Sequence, residues 1–141
     1  MSSDLVAQVH RVYRAFASRD LDLIVELCDP EVAFTSLVME SEGTVYRGHD
    51  GLREYFARLM DVLPDWRPEI EKVEDYGDLI LVRNRLYATP AGGSVPVELT
   101  SWQLIRFRNA LALRWEFFRT EEEAREALSA AQAEAPSPPE G

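Results

Sequence analysis

The sequence predicts a single α+β domain, and three observations carry that prediction. Near the N-terminus apolar residues recur at helical spacing, with Leu5, Val9, Val12 and Phe16 on one face of Asp4–Ser18. From Glu69 to Phe118 the period shortens to two, as in strands with one buried face. Within that region VPVELTSWQLIRFRNALALRWEFF, residues 95–118, reads as two long strands joined at Asn109–Ala110. Asn tolerates the positive φ of a two-residue hairpin turn, although Ala stands where Gly is more usual. The full order is helix, helix, strand, helix, four antiparallel strands and a closing helix.

Each element has its own signal. In the first helix Val6, Tyr13 and Ala17 widen the apolar stripe. Asp20 caps a short helix through Leu21–Cys28, which Asp29–Pro30 ends. Val32–Met39 alternates as a strand and is followed by a polar loop, Glu40–Thr44. Tyr46-Arg47-Gly48-His49 then turns the chain into a helix at Asp50–Leu63, with Leu52, Tyr55, Phe56, Leu59 and Met60 as its buried stripe. Pro64 and Pro68 bracket Trp66 and stop that helix. Glu69–Tyr76 is a polar strand near a sheet edge, and Gly77–Asp78 turns into the strand Leu79–Ala88. One face of that strand is Leu79, Leu81, Arg83, Arg85 and Tyr87; the other is Ile80, Val82, Asn84 and Leu86. Thr120 caps the closing helix, with Glu121, Glu122 and Glu123 in its first turn. After Leu128 the composition SAAQAEAPSPPEG predicts a disordered tail, so the domain is 1–128 and the tail 129–141.

Composition narrows the partners. A chain of 141 residues with 46% hydrophobic and 28% charged residues can bury a core as one domain. The net charge of −10, with no basic stripe, argues against nucleic acid and anionic membranes. Every cation but Lys72 is arginine. Cys28 is the lone cysteine, a small core residue, and His10 and His49 are the only histidines, so no metal site and no cofactor is indicated. No basic leader or spanning apolar run is present, which makes the cytoplasm the expected location.

If the hairpin loop is Asn109–Ala110, Arg108 pairs with Leu111 and the register runs back from there. Phe107 then faces Ala112, Ile105 faces Arg114, Gln103 faces Glu116 and Ser101 faces Phe118. On the opposite face Arg106 meets Leu113, Leu104 meets Trp115 and Trp102 meets Phe117.

The element order, the stretch DLDLIVELCDPEV, the segment YRGHDGLREYF and the terminal hairpin together resemble the nuclear transport factor 2-like superfamily. The resemblance covers roughly residues 4 to 128. It is strongest to the SnoaL-like branch, which is related to ketosteroid isomerases and polyketide cyclases. It implies a cone: a strongly bent, mostly antiparallel sheet wrapped around three N-terminal helices, with an apolar cavity open at one end. It also implies a homodimer through the outer sheet face. On that basis Ser101, Gln103, Ile105, Arg114, Glu116 and Phe118 are expected toward the cavity. Hydrophobicity alone would place Trp102, Leu104, Leu113, Trp115 and Phe117 in the monomer core; the resemblance instead leaves them for the partner, an apolar surface suited to an obligate interface.

The resemblance also allows the family chemistries to be matched to residues. A ketosteroid isomerase takes a carboxylate base from its first strand and an oxyanion hole from a helix-one tyrosine and a protonated aspartic acid. Here the base position falls at Thr35 or Ser36, which abstract no proton at neutral pH. The tyrosine falls at Val12, next to Tyr13, and the aspartic acid falls at Gln103, whose amide can still donate. A limonene-epoxide hydrolase uses Asp–Arg–Asp; its arginine matches Arg83 and one acid matches Glu116, but the other acid falls at Arg85. The expectation is therefore a polar cluster in the cavity, read either as a salt-bridge network that organises the inner sheet or as a site with Glu116, Arg85 and Arg83 as catalytic candidates and Gln103 and Arg114 beside them. Tyr13, Phe16, Phe34, His49, Phe56, Trp66, Tyr87, Ser101 and Phe118 complete the substrate-binding candidates. Such a site would hold a small hydrophobic, acidic or enolisable molecule and could run a cofactor-free isomerase, cyclase or dehydratase, with Glu116, His49, Glu40 or Glu42 moving the proton. A non-catalytic ligand-binding protein and a dimerisation domain with an incidental cavity stand as alternatives.

Overall fold

The computed structural model describes residues 2–35, 45–89, 92–93 and 95–134. Three helices lie N-terminal or nearly so: α1 (Ser2–Ser18), α2 (Leu21–Glu26) and α3 (Gly48–Val62). β1 (Cys28–Thr35) and β2 (Val45–Arg47) precede the last of these. Then come β3 (Arg67–Asp75), β4 (Leu79–Ala88), β5 (Val97–Arg108), β6 (Leu111–Phe118) and α4 (Glu121–Glu134). The predicted Leu21–Cys28 helix stops two residues early, and Cys28 opens β1 instead. The predicted strand end at Val38 and Met39, together with Ser36, Glu40 and Glu42, falls outside the described residues.

The strands form one sheet in the order β2-β1-β6-β5-β4-β3, antiparallel throughout except where β1 runs parallel to β6. Register shifts in β1 against β6, in β3 and in β6 mark bulges, and each adds local twist and bend. This curvature lets a single sheet wrap a helical layer. The concave face packs Val9, Val12, Tyr13 and Phe16 of α1 and Leu52, Tyr55, Phe56 and Leu59 of α3 against Ile80, Val82, Ile105, Trp115 and Phe117. The α+β cone expected from the resemblance is the architecture observed.

Local signals explain the element ends. Asp20 accepts from the backbone N–H of Leu23 at 3.2 Å and Thr120 from that of Glu123 at 3.1 Å, so both predicted caps form. Asn109 and Ala110 both have positive φ, 54° and 67°, as a two-residue hairpin turn of the I′ kind demands. The YRGHDG segment seats α3 on the strands. A Cβ on Gly48, which has φ 71°, would meet the Pro30 carbonyl oxygen at 3.3 Å, and one on Gly51 would sit 3.1 Å from the Tyr46 backbone. His49 donates from Nε2 to the Cys28 carbonyl at 2.8 Å, tying the first turn of α3 to β1. No helix among the described residues is long and apolar enough to cross a membrane.

The convex face carries α4. Ala124 and Leu128 pack on Leu79, Leu81, Trp102 and Leu104, with Phe118 alongside. The helix runs to Glu134, six residues past the predicted domain end, so part of the expected 129–141 tail is ordered. Its Ala-rich sequence keeps helix propensity high there. Arg125 holds Glu74 of β3 with two bonds, at 2.8 and 2.7 Å, and its guanidinium lies 5.9 Å from the Trp102 ring centroid.

Candidate functional site in the cone interior

The bulge in β6 decides which side chains reach the interior. Phe107 pairs with Ala112 but Arg106 pairs with Arg114, so Leu113 is an extra residue and the parity of β6 reverses beyond it. Gln103 therefore opposes Phe117, not Glu116, and Ile105 opposes Trp115. Trp115 and Phe117 point inward into the main core, whereas Arg114, Glu116 and Phe118 point outward. None of the six pairings expected beyond Phe107–Ala112 forms, because the inserted Leu113 shifts the register of everything after it.

The arginine cluster is not assembled in the interior. On β4 the even residues Ile80, Val82, Asn84, Leu86 and Ala88 are buried, and the odd ones face away. Arg83 pairs with Glu71 at 3.1 Å, and Arg85 bridges Glu71 at 3.0 Å and Glu98 at 2.5 Å, all on the convex face. Arg114 pairs with Glu116 at 3.2 Å, and both line an outer groove of about 430 Å³ with Glu31, Arg47 and Arg108. Tyr87 lies under the Arg67 guanidinium at 4.8 Å, and Phe118 packs beside α4. The physical reason is cost: an apolar stripe was available to fill the core, while an inward guanidinium would have needed a buried counter-charge. The surface assigned to a partner is also displaced. Trp115 and Phe117 are interior, Trp102 and Leu104 are 6% and 3% exposed beneath α4, and only Leu113 keeps surface.

What the interior does bring together is a line of uncharged polar groups. Gln103 is fully buried, and its Oε1 accepts from Trp115 Nε1 at 2.5 Å. Asn84, directly paired with Ser101 across β4 and β5, accepts from the Ser101 hydroxyl at 2.9 Å. Tyr13 projects from α1 toward Gln103 without completing a hydrogen bond. Burial pushes the Tyr13 phenol well above its ordinary pKa, and the Gln103 amide opposes that only in part, so Tyr13 stays protonated. Four buried atoms find no protein partner among the described residues: Tyr13 Oη, Trp66 Nε1, Asn84 Nδ2 and Gln103 Nε2. Every one of them carries a hydrogen to donate.

A pocket of about 440 Å³ opens beside this line, between α1, α2, α3 and the Pro64–Trp66 turn. Phe16, Phe56 and Trp66 wall it, with Leu21, Ile24, Ala57 and Met60 completing an apolar lining and Arg19 at its edge. Phe16 divides pocket from polar line: its ring centroid lies 5.2 Å from Trp66 and 5.3 Å from Phe56 on one side, 5.5 Å from Tyr13 and 5.8 Å from Trp115 on the other. Phe34 stacks deeper, against Tyr55, Trp115 and Phe117. Of the expected binding residues, Phe16, Phe56 and Trp66 line this pocket, Tyr13, Phe34, Ser101 and Gln103 are buried in the interior outside its lining, and His49 is a structural clamp at the start of α3. Cys28 is buried, its thiol pushed up to about 12 by desolvation, which leaves it unreactive at neutral pH. Asn84, Trp115 and Arg19 were missed. Asn84 did carry a signal, a polar residue within an apolar stripe; the other two carried none, because a bulge and a helix end placed them.

A bent sheet closed over helices, with an apolar pocket and buried donors, defines a nuclear transport factor 2-like cone protein. A SnoaL-like domain model matches residues 9–115, and the chain belongs to that family. Solved structures agree on the fold. One is a nuclear transport factor 2-like protein of unknown function from Burkholderia pseudomallei, 23% identical, covering 89% of this chain and 97% of its own, with TM-score 0.77. TerC, co-crystallised with polyporic acid, is 22% identical over 89% and 98% of the two chains, with TM-score 0.74. Rv0760c from Mycobacterium tuberculosis, in complex with estradiol-17β-hemisuccinate, is 13% identical over 84% and 95%, with TM-score 0.72. At these identities the likeness is one of fold. No curated protein matches the chain.

Proposed function

We propose that this protein binds a small, flat, largely apolar organic molecule that carries acceptor oxygens, and that it binds without transforming it. The observation that carries this reading is an apolar pocket of ligand size walled by Phe16, Phe56 and Trp66; four donors without protein acceptors lie in the interior around it, Trp66 in the pocket wall and Tyr13, Asn84 and Gln103 away from its lining. A buried donor left unpaired costs free energy that a ligand oxygen returns, so ketone, quinone or phenol oxygens are the complement of this interior. Polyporic acid with TerC and a steroid ester with Rv0760c are ligands of that general kind in the same fold, which supports the reading by analogy.

Binding is favoured over turnover by the chemistry of the same groups. Tyr13 holds its proton, and Gln103, Asn84 and Trp66 are neutral donors, so the described interior offers acceptor recognition and no base. Glu116, Arg83 and Arg85, the expected catalytic set, lie on the other side of the sheet. The test is a thermal-shift screen of polycyclic ketones, quinones and phenols, followed by titration of the hits. Ala57→Trp, which fills the pocket, should weaken hits roughly tenfold or more. A screen without hits sinks the reading; recovery of a chemically altered ligand by mass spectrometry turns it into an enzyme.

A further inference from the structure

We propose that Arg19 is the specificity residue of the pocket, selecting ligands whose apolar body carries a carboxylate or equivalent anion at the pocket mouth. This rests on the reading of that pocket as a ligand site and adds the charge of the ligand. Arg19 closes α1 with φ 60°, a left-handed conformation disfavoured for any residue bearing a Cβ. Its N–H bonds the Phe16 carbonyl at 3.1 Å and the Asp20 N–H bonds the Ala15 carbonyl at 2.9 Å, an end that glycine serves without strain.

The side chain reaches across the mouth. One terminal nitrogen donates to the Phe16 carbonyl at 3.1 Å and the other to the Pro64 carbonyl at 3.2 Å, spanning from α1 to the turn after α3. The guanidinium also lies 6.0 Å from the Trp66 ring centroid. Both acceptors are uncharged, and among the described residues no carboxylate forms an ion pair with Arg19. Its Nε–H and the second hydrogen on each terminal nitrogen remain, in the flat fork that a carboxylate accepts. The anchoring bonds hold that fork in place before any ligand arrives, so little freedom is lost on binding. The Trp66 indole, 2% exposed, stands in the wall of the same pocket, and its N–H has no protein acceptor. The lining is otherwise apolar, and this combination fits an aromatic acid rather than a hydrocarbon or a cation.

The experiment compares naphthoate and anthracene carboxylate with their uncharged primary amides, by tryptophan fluorescence titration at low and high salt. The chains are wild type, Arg19→Gln and Arg19→Lys, each checked for folding by circular dichroism. Wild type should prefer the acids roughly tenfold, a ratio that shrinks as salt screens the exposed cation. Arg19→Gln should erase the ratio between acid and amide, and Arg19→Lys should keep part of it. Equal binding of acid and amide by wild type overturns the proposal, as does a folded Arg19→Gln chain that still prefers acids; either result leaves the pocket standing as a site. Ala57→Trp fills the pocket, and if it leaves the affinities unchanged, or if neither compound class binds wild type, the pocket reading fails and this proposal with it.

Discussion

Gln103 carries two opposed states in one side chain: its oxygen is satisfied by Trp115, while its nitrogen has no acceptor. A leucine there would remove the unmet nitrogen but strand the buried Trp115 N–H, so the residue has a structural role and an unmet donor at once. That unmet donor, together with those of Tyr13 and Asn84, is the residue-scale mark of an interior shaped for more than packing. Strain tells a similar story at Arg19, where the side chain has a use at the pocket mouth, and a different one at Ala110. Ala110 has φ 67° in an exposed hairpin turn, and its side chain does nothing that requires alanine. Ala110→Gly should therefore stabilise the fold by about 1 kcal/mol, by removing the left-handed penalty. A urea midpoint that rises with an unchanged slope would show it; a midpoint that falls would mean the unfolded chain's gain in freedom outweighs the relief.

At the scale of elements, the clamp between α4 and β3 sets a pH dependence. Arg125 is the main cause holding the Glu74 carboxyl down to about 2, with Tyr76 and Lys72 adding to it against partial burial. The folded pKa is depressed, so this contribution is fully present above the ordinary value near 4.5 and is lost as pH falls from there toward 2. Screening by water reduces the ideal linkage energy to on the order of 1–2 kcal/mol. Melting temperature should thus drop more between pH 5 and pH 3 (roughly the window of that linkage) in wild type than in Glu74→Gln. Parallel curves for the two chains would show that the clamp is not coupled to stability. The same element accounts for the buried outer face, since α4 supplies Ala124 and Leu128 to a surface that would otherwise be an open apolar sheet.

For the whole molecule, α4 covers the apolar cluster of the convex face. Truncation after Arg119 should bare Leu79, Leu81, Trp102 and Leu104. The shortened chain should self-associate in light scattering and shift its tryptophan emission to the red; a chain that keeps the full-length mass and emission would show that α4 covers little. Much of this architecture is readable without a structure. Helical periodicity identified α1 and α3, period two identified β4 and the hairpin strands, and Asp20 and Thr120 announced their helices, because all of these depend on neighbours within a few residues. The aromatic wall of Phe16, Phe56 and Trp66 was legible for the same reason. Charge placement was not. One inserted residue at Leu113 exchanged Trp115 and Phe117 for Arg114 and Glu116 in the interior, and the parity of β4 sent Arg83 and Arg85 to Glu71 on the convex face. By itself the sequence determined the elements, the family and most of the apolar interior, since these follow from local pattern. Only the tertiary structure decided which face each strand buries and where the charges lie, because a bulge and a covering helix act through pairings between residues far apart in the chain.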